Sequence, residues 1–122
     1  MQQAANAYAR VAKATQSPRE LEASVLMRAA THLQAVRDDW AGRRGELDEA
    51  LTYNRKLWTV LVTSATDAEN PLPLPIKNNI ANLAIFVFER TITVMTEPAP
   101  EKLAALVTIN RELAAGLRAR PA

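Results

Sequence analysis

A chain of 122 residues, 48% hydrophobic and 23% charged, is long enough for one domain with a real core and too short for two. The absence of cysteine excludes disulfides, thiolate metal sites and cysteine nucleophiles, and the single histidine, His32, excludes histidine triads and multi-histidine metal centres. Fifteen basic against 13 acidic residues leave a formal charge of +2, spread over short clusters (Arg43 with Arg44, Arg55 with Lys56, Arg118 with Arg120) that read as solvated faces rather than a nucleic-acid stripe.

Period-two β-branched runs are missing and glycine is scarce, so the expected fold is all-α: one bundle of about five helices with short connections. The opening "MQQAANAYARVAKAT" has no apolar h-region and lacks the serine and arginine density of a transit peptide; "LAIFVF" is far short of a membrane span. A cytoplasmic protein is the expectation. A first helix is predicted over residues 3–14, where Ala4, Tyr8, Val11 and Ala12 form a stripe that must dock to be stable. A second opens at Ser17, with Pro18 in the first helical position and Glu20 completing an S-x-x-E capping box, and runs to about Asp39. Its apolar face is Leu21, Val25, Ala29, Leu33 and Val36, with Trp40 closing over the end and His32 at the boundary of the face.

"AGRRGE" follows, its Gly42 and Gly45 offering the backbone freedom of a tight connection. The third helix spans about residues 46–65. "TDAENPLPLP" is then a stiff crossover in which Asn70 suits a cap or an Asx turn and Pro73 or Pro75 opens the fourth helix. That helix, about residues 74–96, is apolar around much of its circumference, which predicts a central position. Its polar strip carries Asn78, Asn79, Asn82, Glu89 and Thr93, with Phe86 inside the strip as the expected exposed aromatic. The fifth helix, about residues 101–117, has the face Leu103, Leu106, Val107, Leu113, Ala114 and Leu117; residues 118–122 read as a disordered tail of the single domain.

The third helix holds an anomaly. In "LTYNRKLWTVL", Leu47, Ala50, Leu51, Leu57, Trp58 and Leu61 share one arc and Asn54 falls in its middle. The fifth helix echoes the pattern in "VTINRELAAGL", with Asn110 again mid-face. A buried amide without partners costs about 1–3 kcal/mol. The two amides therefore either bond one another across the bundle, fixing register, or face a partner helix. Nothing around them supports catalysis. No Walker loop, GxSxG elbow, E-x-x-H or inward carboxylate pair is present, so neither enzyme activity nor a cofactor or metal is expected.

The blocks "AYARVAKATQSPRELEASVL" and "NRKLWTVLVTSATDAENPLPLPIKNNIANLAIFVFERT" resemble the flagellar biosynthesis regulator family FlaF of alphaproteobacteria, over about residues 8–96. Tyr8, the start Ser17 to Glu20, the block Asn54 to Trp58, Asn70 with Leu72 and Pro73, and the aromatic region of the fourth helix carry the resemblance. It implies a small cytoplasmic factor for flagellin production and export that binds flagellin as a chaperone and works beside FlbT. The alternative it implies is a post-transcriptional regulator of flagellin acting through RNA or a protein such as FlbT. Family members often carry tryptophan where Phe86 and Phe88 stand here. Candidate partner-binding residues are Asn54, Leu57, Trp58, Leu61, Asn70, Asn82 and Phe86, on a groove that the fifth helix either closes or leaves open.

Overall fold

The computed structural model describes residues 18–119. They form an all-α bundle of four long helices: α1 (Pro18–Asp38), α3 (Leu47–Ala65), α4 (Leu74–Thr96) and α5 (Ala104–Ala119), with a four-residue α2 (Trp40–Arg43) at the first corner. Short 3-10 turns, Arg44–Glu46 and Pro100–Leu103, lead into α3 and α5. The predicted helix over residues 3–14 and the capping residue Ser17 lie outside the described residues. α5 continues through Ala119, so Arg118 and Ala119, expected in the tail, form its last turn. Residues 120–122 lie outside the described part.

The helix boundaries follow their punctuation. Pro18 starts α1, where its missing N–H is no loss. Pro73 is the N-cap of α4 and Pro75 sits in its first turn. Between them and α3, Asn70 makes the Asx turn: its Oδ1 accepts from the Leu72 N–H at 2.9 Å while its Nδ2 donates to Ser64 Oγ at 3.1 Å. The "AGRRGE" corner is built differently from expectation. No described glycine has positive φ, because the chain turns through right-handed α2 and the 3-10 turn instead. Gly42 lets the Asp39 carboxylate close over it: Asp39 Oδ1 accepts from its N–H at 3.2 Å, and a Cβ there, 2.6 Å from Asp39 Oδ2, would push the carboxylate out of this capping position.

The centre of the bundle is α1. Its most extensive contact is with α5, and it also packs on α3. The antiparallel register of α1 and α5 is marked by Arg118, whose guanidinium meets Glu20 at 3.0 Å, and by Asn110, which reaches the Leu26 carbonyl. The buried face of α1 is Ala23, Leu26, Ala29, Ala30, Leu33 and Val36. This corrects the predicted phase in the first two turns, since Leu21 is exposed and Val25 only half-buried. Alanines 23 and 30 take the core positions because small side chains allow α5 to come close. The face predicted for the fifth helix is buried in full, Leu103 coming from the 3-10 turn and the rest from α5.

α4 is also corrected. The most apolar helix is not central: it packs chiefly on α3 and touches α5 only lightly. It buries one narrow stripe, Ile80, Ala84, Val87, Thr91 and Val94, in which the Thr91 hydroxyl is satisfied by donating to the Val87 carbonyl at 2.7 Å. Ile85, Ile92 and Met95 are 59%, 65% and 52% exposed. Apolar content all round a helix says that it is surrounded by something, and in this chain the described helices surround only one side.

The first corner is fastened by Glu46. Its carboxylate accepts from Arg43 Nε and Nη2 at 2.9 and 3.0 Å and lies 3.0 Å from His32 Nε2, joining α1 to the 3-10 turn. The Arg43 hydrogen bond first, then the His32 bond, hold this carboxyl down at about 2. A depressed folded-state pKa stabilises above the ordinary value of 4.5, and the contribution is lost as pH falls from there through about 2. Urea midpoints measured from pH 6 downward should therefore differ between wild type and Glu46→Gln, with the gap closing below about pH 4. A gap independent of pH would show that the corner does not depend on the ionised carboxylate.

Candidate partner-binding surfaces

Asn54 and Trp58 lie one turn apart on α3 and Asn110 faces them from α5; all three are fully buried. The indole fixes the arrangement, because Trp58 Nε1 can only donate. It donates to Asn110 Oδ1 at 2.9 Å, which turns Asn110 Nδ2 toward Asn54 Oδ1 at 2.7 Å and the Leu26 carbonyl at 3.4 Å. α1, α3 and α5 are thus tied at one point in the core. Of the two alternatives for the amides, the internal bond is the one the structure adopts. The chain of donors ends at Asn54 Nδ2, which is buried without a hydrogen-bond partner among the described residues. The participation of Trp58 was not foreseen; its one-turn spacing from Asn54 on the same face was the available signal.

The remaining candidates divide between surfaces. Leu57 and Leu61 border a groove of about 470 Å³ between α1 and α3, with Leu21, Val25, Tyr53 and Val60 as its other apolar walls. Glu22 stands on its rim, and burial raises its pKa against the opposing effect of Arg19. Asn70 belongs to the corner that starts α4, where both ends of its amide are engaged within the fold. Asn82 and Phe86 are exposed on α4. Arg90 lies over the Phe86 ring, 5.1 Å from its centroid, and donates to the Lys102 carbonyl at 3.3 Å. The structure therefore does not gather the seven candidates into one site. Asn54 and Trp58 are removed from any surface by complete burial.

The outer side of α4 carries isoleucines that the central position predicted for this helix would have buried. Ile85 and Ile92 are seven residues apart and Met95 three further, so they form one exposed stripe. Asn82 and Glu89 line one side of it, one turn from Ile85. On the other side of α4 from the stripe, where α4 and α5 touch lightly, a cleft of about 320 Å³ opens between Ile76, Leu83, Ile109 and Leu113. Among the described residues no group of three metal-ligating side chains converges, and no helix is long and apolar enough to cross a membrane.

The family model described as Flagellar protein FlaF matches residues 4–117. The chain belongs to the FlaF family of flagellar proteins. The match extends beyond the blocks that carried the resemblance and takes in α5 with its Asn110. No curated protein and no solved structure matches the chain. This FlaF-family chain thus presents an apolar stripe on a helix, polar groups along one side of it, and a core polar network that holds α3 and α5 in register.

Proposed function

We propose that this chain is a cytoplasmic, non-catalytic flagellin-binding factor that serves as a secretion chaperone and presents the outer face of α4 to a helical terminal segment of flagellin. Membership of a flagellar family supports the setting. The observation that carries the reading is the exposed stripe of Ile85, Ile92 and Met95. Helix-on-helix recognition needs apolar anchors at such spacing and polar groups at the margins to set register. Ile85, Ile92 and Met95 supply the first, Asn82 and Glu89 the second. Flagellin termini, helical and prone to aggregate before assembly, have the complementary character.

Co-purification with flagellin tests this. Wild type should bind, and a double Ile85→Asp, Ile92→Asp variant should lose about tenfold or more in affinity with an unchanged thermal midpoint, because both side chains are already in water. Absence of binding by wild type would sink the chaperone reading. Full binding by the double variant would move the contact away from α4. An apolar contact also predicts little change between low and high salt. A steep loss with salt would instead point to phosphate contacts and to a regulator acting on flagellin messenger.

A further inference from the structure

The groove between α1 and α3 plays no part in the flagellin reading. Its walls are the apolar residues that the core leaves unused: Leu21 and Val25 from the predicted stripe of α1, and Tyr53, Leu57 and Val60 from the flank of α3, with Leu61 at its floor. Val60 is 67% exposed. An apolar lining of this kind on a small bundle marks a place where another element packs.

The position of the groove identifies that element. α1 begins at Pro18, one turn before Leu21, so the described helix starts at one end of the groove. We propose that residues 3–14 are its occupant, lying back along α1 as an amphipathic helix with Ala4, Tyr8, Val11 and Ala12 against the groove. Three arguments carry this. Twelve helical residues span about 18 Å, and α3 from Tyr53 to Ser64, the length of the groove wall, rises about 17 Å. Residues 15–17 give the connection of about 2–5 residues that two antiparallel helices use. With the stripe turned inward, Gln3, Asn6, Arg10 and Lys13 face water, and the bulk of the stripe, Tyr8 and Val11, lies opposite the open flank of α3. Counting from the shared end, Val11 lies about 5 Å from residue 14 and Val60 about 6 Å from Ser64, which sets these two valines side by side. The segment thereby completes a core that is open on that side, whatever α4 binds.

The chain has no cysteine, so a Val11→Cys, Val60→Cys pair in the full chain reads the contact directly. Mild oxidation in dilute solution should give an intramolecular disulfide, visible as faster migration of the monomer on a non-reducing gel. A control pair, Val11→Cys with Ile92→Cys on α4, should not form one. A disulfide-linked dimer would assign the groove to a second copy, and equal reaction of both pairs would remove the assignment; either result overturns the proposal. Hydrogen exchange supplies the second measurement without a cross-link. Amides of residues 8–14 should be protected in wild type and exchange about tenfold faster or more in Val60→Glu, while those of α1 and α5 stay unchanged. Exchange of residues 8–14 at unprotected rates in wild type, or equal protection in both proteins, would refute the docking.

Discussion

Asn110→Ala is expected to destabilise the domain by about 3–5 kcal/mol, the largest effect of any single polar substitution in the core. The estimate follows from what is left behind. Trp58 Nε1–H and Asn54 Oδ1 each lose a partner inside a fully buried site, at about 1–3 kcal/mol apiece, and truncation leaves a small void. Asn54→Leu should be milder, about 1–2 kcal/mol, although it breaks the same amide–amide bond and leaves Asn110 Nδ2 with the Leu26 carbonyl at 3.4 Å as its remaining acceptor. It removes Asn54 Nδ2, which has no partner to lose, and leucine fills a similar volume among apolar neighbours. The double variant should cost less than the sum of the two singles, since the shared bond can be lost only once. Urea denaturation of the four proteins decides the matter. Equal losses for the two single variants would mean that the amide–amide bond, which both break, carries the whole effect and that the indole donor and the void are without consequence.

That asymmetry between two asparagines in matching sequence surroundings shows where sequence reasoning reaches its limit. Their mid-face positions were legible because helical angle alone determines them, and so was the option of a bond between them. The indole donor was not, since which atom of Trp58 meets which amide depends on the crossing of α3 and α5. Helix ends marked by Pro18, Pro73 and Asn70 were legible for a similar reason: ring closure and local side-chain bonds act within a few residues. The identity of the central helix was not. Hydrophobic content led to α4, yet α1 holds the centre, because small residues such as Ala23 and Ala30 let a neighbour approach where the bulk of Leu21 would hold it off. The candidate site was misread by the same cause. Leu57 and Leu61 sit beside Asn54 in sequence, but a helix in a bundle has several neighbours, and residues one or two positions apart serve different ones.

The two corrected helices also bear on function together. Were α4 in the centre, no apolar stripe would remain for a partner; with α1 in the centre, α4 is held by α3 along one narrow line and leaves Ile85 and Ile92 outside. Rigidity beneath that stripe then comes from α3, whose own position depends on the Trp58 to Asn110 bond. The exposed stripe and the register of the core are in this way mechanically connected, and under the proposed function substitutions of Asn110 should disturb flagellin binding only to the extent that they loosen α3.

Removal of residues 101–122 is expected to abolish folding, which answers whether α5 is a cover that could be lifted from a groove. Leu103, Leu106, Val107, Leu113 and Leu117 are all buried against the rest of the bundle, chiefly against α1. At about 1.5–3 kcal/mol for each buried aliphatic side chain their removal forfeits on the order of 10 kcal/mol, as much as the whole stability of an ordinary domain, about 5–15 kcal/mol. The same truncation strips Asn110 from Trp58 and leaves the indole N–H unpaired in the core. Circular dichroism of the truncated chain should show reduced helix content and no cooperative thermal transition, whereas Phe86→Ala, which removes a ring 37% exposed and its stacking with Arg90, should cost about 1 kcal/mol and keep a cooperative transition. A truncated chain that unfolds cooperatively and binds flagellin more tightly than wild type would reverse the assignment and make α5 an intramolecular occupant of the binding surface.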